Sequence, residues 1–289
     1  MHGTGVPVVT PFAADDSVDH ERLASLVTWL EAEGVDFLVP CGSTGEAPLL
    51  STAERRAVVE TVVNAANVPV LAGTGLEGFE PTVAATQDAA AAGADAALVV
   101  TPSYYGVDES DLVAYYDALA DESPIPIYLY SVPQFTDVTL SPDAVATLAP
   151  HEGIAGIKDS AGNVDRIQET VARTTDETFD VIVGSGTVYA SALDVGATGG
   201  ILAIANVLPD ESVALARAHA DGDGSSARTR QLELARYNRT IVGRYGIAGV
   251  KEALAMRGQP VGRPRRPLRR LDDAHRATVR ELLTPYLDD

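Results

Sequence analysis

The chain has 289 residues, a length that suits a single α/β barrel, and 46% of them are hydrophobic, enough to bury a large core. Its formal charge is −20, from 41 acidic against 21 basic residues, which speaks against a nucleic-acid partner because phosphate backbones need a basic face. One cysteine, Cys41, excludes an intramolecular disulfide and a cysteine-rich metal site, the five histidines lack HxH or HExxH spacing, and no uncharged apolar run is long enough to span a membrane.

The first apolar run, Val6–Thr10, reads as a strand. The second, Phe37–Pro40, runs into Gly42-Ser43-Thr44-Gly45-Glu46. Ser51-Thr52-Ala53-Glu54 is a capping-box pattern ahead of the amphipathic run Arg56–Ala66. Val70–Ala72 and Ala96–Val100 follow as strands, the latter leading to Thr101-Pro102-Ser103-Tyr104-Tyr105-Gly106. Ile127–Tyr130 is the fifth strand, and Ser141-Pro142 then places an N-cap before proline at the first helical position. Ile154–Ile157 ends in Lys158-Asp159-Ser160, Val181–Val183 ends in Gly184-Ser185-Gly186, and Gly200–Ile204 leads to Ala205-Asn206. Gly34, Gly93 and Gly196 stand where helix C-caps are expected.

That makes eight strands, starting mostly about 25 to 33 residues apart, the length of a strand, a helix and two loops. They are continuous apolar runs, as strands buried on both faces are. A (β/α)8 barrel is therefore expected. An open doubly wound sheet is the rival, weakened because no GxGxxG follows the first strand. After Pro209 four helices are predicted, Glu211–Ala220, Ala227–Tyr245, Ile247–Arg257 and Asp272–Leu287, with Gly258–Pro267 as a linker. The expected division is a catalytic barrel over residues 1–221 and a C-terminal helical region over 222–289.

In such a barrel the chemistry lies where the strands end. The chain has only two lysines, Lys158 and Lys251, against 19 arginines, yet one of the two ends an apolar strand. An ammonium in a barrel interior is costly unless paired or neutralised, and a neutral lysine is the nucleophile that condenses with a ketone. A salt bridge from Lys158 to Asp159 or to a loop carboxylate is the plainer alternative. Tyr130 ends the neighbouring strand and can exchange protons with an amine there, or simply be a core aromatic. Gly42–Glu46 can be a turn whose amides bind a carboxylate, with Ser43 and Thr44 adding hydroxyls, or an ordinary turn. Tyr104 and Tyr105 fit a plug or a subunit contact, and Cys41 a small buried residue. Lys251 falls on a predicted exterior helix and is expected to titrate normally.

Taken in order, GSTGE, TPSYY, YLYSVP, GIKDS, VGSG and GGILAIAN resemble the dihydrodipicolinate synthase and N-acetylneuraminate lyase family. The resemblance covers Gly5 to Asn206, with Ile247–Gly258 like the family's late helix. It implies a (β/α)8 barrel with a C-terminal helical region, usually tetrameric, and an enzyme needing neither metal nor organic cofactor. Lys158 would form the Schiff base with pyruvate or a pyruvate-derived sugar acid, and Tyr130 would shuttle protons. Ser43 stands where the family often has threonine, Thr44 would bind the pyruvate carboxylate, and Tyr105 would complete the relay, in many members from a neighbouring subunit. Gly184 and Ile201 would line the pocket.

Two departures guide the choice of reaction. The synthase branch carries an arginine for a substrate carboxylate where this chain has Phe135, whose ring cannot form that bidentate pair. Sialic-acid lyases usually have a bulky aromatic where Asp159 stands. GIKDS is most like the 2-keto-3-deoxygluconate aldolases, although the arginine some of them use for a 6-phosphate is absent from Gly106-Val107-Asp108; Arg236, Arg239 or Arg244 are substitutes the sequence does not place. The expected reaction is reversible cleavage of a 2-keto-3-deoxy sugar acid, such as 2-keto-3-deoxygluconate or its 6-phosphate, to pyruvate and an aldehyde. Dihydrodipicolinate synthase, a sugar-acid dehydratase and a non-catalytic keto-acid-binding barrel are the alternatives. The expected partners are a small 2-oxo acid and further copies of the chain in a homotetramer, with no nucleic acid and no membrane. With no signal-peptide pattern at the N-terminus, a cytoplasmic protein is expected. The charge fits either a GC-rich genome or a surface adapted to high salt, the latter being favoured.

Overall fold

Short apolar strands with neighbours on both sides pair in parallel, and eight strands do so here, most of them runs of valine, isoleucine, leucine and alanine, the first and last rich in glycine. The computed structural model describes residues 1–287. The strands are β1 (Gly3–Val6), β2 (Phe37–Leu38), β3 (Leu71–Gly73), β4 (Ala96–Val100), β5 (Ile127–Ser131), β6 (Ile154–Asp159), β7 (Asp180–Val183) and β8 (Gly199–Ile201). They hydrogen-bond in the order β2-β1-β8-β7-β6-β5-β4-β3, and a parallel bridge between Leu38 and Val70 joins the two ends. The fold is thus a (β/α)8 barrel with helices around it and further helices at its C-terminal end.

Alternation along each strand divides the core in two. Phe37, Leu71, Leu98, Tyr128, Tyr130, Ile182 and Ile201 fill the barrel interior. Their sequence neighbours, such as Leu38, Ala72, Val99, Leu129 and Ile157, face the surrounding helices in the larger cluster. The local signals hold: Ser51 and Glu54 form a reciprocal capping box, Ser141 caps Pro142–Leu148, and Gly34, Gly93 and Gly196 adopt positive φ after their helices.

Several expected boundaries are corrected. β1 is Gly3–Val6 and not Val6–Thr10, because Pro7 cannot donate to the ladder; beyond it Val8 donates to Val39 and Val9 to the Asn206 side chain. β8 is Gly199–Ile201, and Ala203–Asn206 is a 3₁₀ turn. Gly199 is fixed by contact, since a Cβ there would lie 2.3 Å from the Gly3 carbonyl oxygen. The predicted helix Ala227–Tyr245 stops at Tyr237 and continues as a π-helix over Asn238–Arg244, a change of register that hydrophobic periodicity does not reveal. Gly258–Pro267 is not a free linker: Arg263 pairs with Asp16, Arg265 pairs with Glu54, and Val261 is buried.

Lys251 is the largest correction. It lies on the helix Gly246–Met256 but points inward, 1% exposed, in an ion pair with the equally buried Glu46. Its ammonium also donates to the carbonyls of Thr10 (2.8 Å) and Arg263 (3.3 Å). Burial pushes its pKa down to about 8, against the opposing pull of Glu46. The surrounding sequence IAGVKEALAM is apolar on nearly every side, the signature of a buried helix. No helix among the described residues is long and apolar enough to cross a membrane.

Candidate active site

Lys158 and Tyr130 are register partners on β6 and β5 near the C-terminal ends of those strands. Both side chains point into the barrel. The Lys158 Nζ lies 4.1 Å from the centre of the Tyr130 ring, and Lys158 is only 4% exposed. No carboxylate among the described residues forms an ion pair with it. The alternative of a bridge to Asp159 fails on alternation: Asp159 points outward and takes Arg166 of the helix Val164–Arg173, Nη2 to Oδ2 at 3.1 Å. Asp159 also accepts the Ala161 amide, so it secures the strand end from behind. Lys158 is left as a buried amine with open space in front of it.

That space is a cavity of about 590 Å³ lined by Ser43, Thr44, Tyr130, Lys158, Gly184 and Ile201 among others. The Ser43 hydroxyl faces the Tyr130 hydroxyl at 3.4 Å. Burial alone would raise the Tyr130 pKa, but the neighbouring Lys158 ammonium and hydrogen bonds from Ser43, Lys158 and Ser160 outweigh it and hold the phenol below its usual value. A phenol so placed gives up and regains a proton more readily than an ordinary tyrosine.

The Gly42–Glu46 turn is bent by left-handed backbone at Cys41 (φ 56°) and Glu46 (φ 59°). Its own amides of Gly45 and Glu46 are satisfied by Gly42 and Ser43, whereas those of Ser43 and Thr44 have no partner among the described residues. Two free amides and two hydroxyls, on the wall of the cavity that Lys158 also lines, are groups that can bind an anion. The turn is held from below by the Thr10 hydroxyl on the Gly45 carbonyl (2.6 Å) and by Glu46, which accepts the Arg265 amide (2.7 Å) and pairs with Lys251. Gly184 is required by space, since a Cβ there would fall 1.8 Å from the Ser160 Oγ.

Of the residues expected from sequence, Lys158, Tyr130, Ser43, Thr44, Gly184, Ile201 and Phe135 line this cavity, Phe135 at its open rim and 68% exposed. Tyr105 does not: it is 76% exposed, stacked edge-on against Tyr104 with ring centres 5.1 Å apart. Its loop is pinned by Glu77, which accepts the amides of Ser103 and Tyr104. A smaller cavity of about 300 Å³ lies behind Tyr130, sharing Ser43 and Tyr130 with the first and adding Glu77 to its walls. Asn206 is structural, its amide group satisfied by Val9, Pro7 and Ala203. Cys41 is buried and its thiol is pushed up to about 12, which leaves it inert. Gln134, Asn238 and Arg269 also line the cavity and were not singled out in the sequence, because only the packing of later segments brings the last two to the barrel mouth.

The model of the dihydrodipicolinate synthetase family matches residues 1–285. A 4-hydroxy-tetrahydrodipicolinate synthase of Methanothrix thermoacetophila is 37% identical over all of this chain and 98% of its own length. An uncharacterised DapA-like lyase of Halobacterium salinarum is 39% identical over 96% of this chain and 92% of its own. The crystal structure of a dihydrodipicolinate synthase from Acinetobacter baumannii complexed with pyruvate superposes with a TM-score of 0.94 at 32% identity, covering 98% of both chains. The chain therefore belongs to the dihydrodipicolinate synthetase family, whose members are pyruvate-dependent class I lyases.

Proposed function

We propose that this enzyme forms a Schiff base between Lys158 and a 2-oxo acid and reversibly cleaves a 2-keto-3-deoxy sugar acid to pyruvate and an aldehyde. The observation that carries the Schiff base is the buried, carboxylate-free Lys158 beside Tyr130. The Ser43 and Thr44 amides and hydroxyls hold the substrate carboxylate. The Lys158 amine attacks the C2 ketone, and Tyr130, exchanging protons with Ser43, helps expel water to leave an iminium ion. Tyr130 then takes the proton of the C4 hydroxyl as the C3–C4 bond breaks. The electron pair of that bond flows into the iminium and gives the enamine of pyruvate, which is protonated and hydrolysed to free the lysine.

The sugar-acid reading rests on Phe135, whose ring offers no charge to a substrate carboxylate at the rim. The synthase reading, condensation of pyruvate with aspartate semialdehyde, is favoured by the names of the relatives. Pyruvate release from 2-keto-3-deoxygluconate, set against consumption of the semialdehyde, separates the two; a far better rate with the semialdehyde would return the enzyme to the synthases. The exposed Tyr104–Tyr105 edge fits a contact between copies in a homotetramer, with Tyr105 entering a neighbour's relay.

The covalent step has a clean test because the chain has two lysines. Borohydride added with pyruvate is expected to leave a reduced adduct on Lys158 alone. Lys251, although its amine is easier to deprotonate than an exposed one, is sealed behind Glu46 and Thr10 where pyruvate cannot reach. Lys158→Arg is expected to abolish adduct and turnover, and Tyr130→Phe to slow turnover by about 10²–10⁴-fold. An adduct mapped to Lys251, or full activity in Lys158→Arg, would overturn the mechanism.

A further inference from the structure

The buried ion pair under the Gly42–Glu46 turn does not reach the substrate. Lys251 and Glu46 are both sealed from solvent, and neither is among the residues that line the cavity in front of Lys158. Taking two charges out of water is offset only by good geometry and further hydrogen bonds, and an apolar pair of similar volume often stabilises a fold as well or better. Stability alone therefore does not account for the pair.

Its bonding is directional throughout. The three donors of the Lys251 ammonium go to the Glu46 carboxylate and to the carbonyls of Thr10 (2.8 Å) and Arg263 (3.3 Å). The other Glu46 oxygen accepts the Arg265 amide (2.7 Å). Thr10 is held at its carbonyl by Lys251 and holds the turn with its hydroxyl, which donates to the Gly45 carbonyl (2.6 Å). The Phe12 ring lies against both cations, its centre 4.2 Å from the Lys251 Nζ and 4.3 Å from the Arg265 guanidinium carbon. Together these contacts fix Gly45 and Glu46. Glu46 is kept in left-handed backbone (φ 59°), which a non-glycine residue retains only where its surroundings over-determine it. The two residues immediately before them are Ser43 and Thr44, whose amides have no partner among the described residues.

We propose that Lys251, Glu46 and Thr10 are positioning residues: they set the orientation of the Ser43 and Thr44 amides and hydroxyls, and through them the grip on the carboxylate next to the substrate's ketone. The assignment rests on the Schiff-base reading above. It holds whatever aldehyde the enzyme uses, because it concerns only the pyruvate half of the substrate. Lys251 thus acts on the site without entering the cavity.

The test uses two ketones, pyruvate and pyruvamide, the second keeping the shape of the first without its charge. Each is trapped with borohydride, and the readout is the ratio of their efficiencies of adduct formation on Lys158. It is measured in the wild type, in the double variant Glu46→Gln/Lys251→Met, and in Thr10→Val. Neither variant strands a buried charge, and Thr10→Val keeps the ion pair, so each decides the matter if the other fails to fold. A general fold defect lowers both efficiencies and leaves the ratio unmoved. The wild type is expected to favour pyruvate. The double variant should lower that preference by about tenfold or more, as a displaced binding group does. Thr10→Val should lower it by about threefold, the scale of one hydrogen bond. A ratio that keeps its wild-type value in the folded variants overturns the assignment and leaves the pair a structural one, while the Schiff base stands. A wild-type ratio near one overturns it too, since the turn then does not read the carboxylate. Absence of a wild-type adduct on Lys158 removes the Schiff-base reading itself, and the positioning role with it.

Discussion

Replacing Lys251 by methionine is expected to cost about 3–5 kcal/mol at neutral pH, because it strands the Glu46 carboxylate in the interior. Both partners are 1% exposed or less, so solvent does not soften the loss. Glu46→Gln strands the ammonium and should cost a similar amount. In the double variant neither charge remains, and its cost should fall well short of the sum. The pH dependence gives a second, independent reading. Burial brings the folded-state pKa of Lys251 from 10.5 down to about 8. Between those values the unfolded chain binds more protons than the folded one, so this lysine makes stability rise with pH, by up to ~1.4 kcal/mol per unit and ~3 kcal/mol in all. Below pH 8 both states are protonated and its contribution is flat. Urea unfolding followed by the single tryptophan, Trp29, at a series of pH values from 7 to 9.5 measures this as the difference between wild type and Lys251→Met, which cancels the other titrating groups. A difference that stays level across pH 8 to 9.5, or single-variant costs that add in full, would refute the reasoning.

Two further outcomes follow from the structure. Gly184→Ala places a methyl where the Ser160 hydroxyl sits, and is expected to reduce kcat by about tenfold or more, with part of the loss restored by adding Ser160→Ala, in steady-state kinetics. The −20 charge predicts a higher melting temperature and higher activity in molar KCl than at about 0.1 M, where the Debye length is about 10 Å; equal stability at both would favour a codon-bias origin for the acidic surface.

The barrel was legible because most of its strands lie in apolar runs, and the spacing of those runs allows little but strand-helix repeats. Lys158 stood out for the same reason, a rare cation ending such a run. Its identity as a pyruvate nucleophile needed the ordered motifs, since an ion pair to Asp159 was equally compatible with the residues alone. Only strand alternation, which sends Asp159 out to Arg166, separates the two. Lys251 was misread because the partner that draws it inward, Glu46, lies more than 200 positions away and looks like part of a polar turn. The π-helix and the placement of Arg244 and Arg269 were beyond reach for a related reason: they depend on how the last helices settle over the barrel mouth. Tyr105 has no role visible in one copy of the chain.

The two residues that seat the Gly42–Glu46 turn have a consequence for synthesis. A ribosome that has made every strand of the barrel has not yet made Lys251, or Arg265, whose amide reaches Glu46 across 219 positions of sequence. The turn emerges early and waits, with its acidic side chain unmatched, until Lys251 and Arg265 have left the exit tunnel. A premature stop codon that spares the whole strand ring but removes these two residues would leave Lys158 on its strand and the Glu46 carboxylate of the neighbouring turn without either partner.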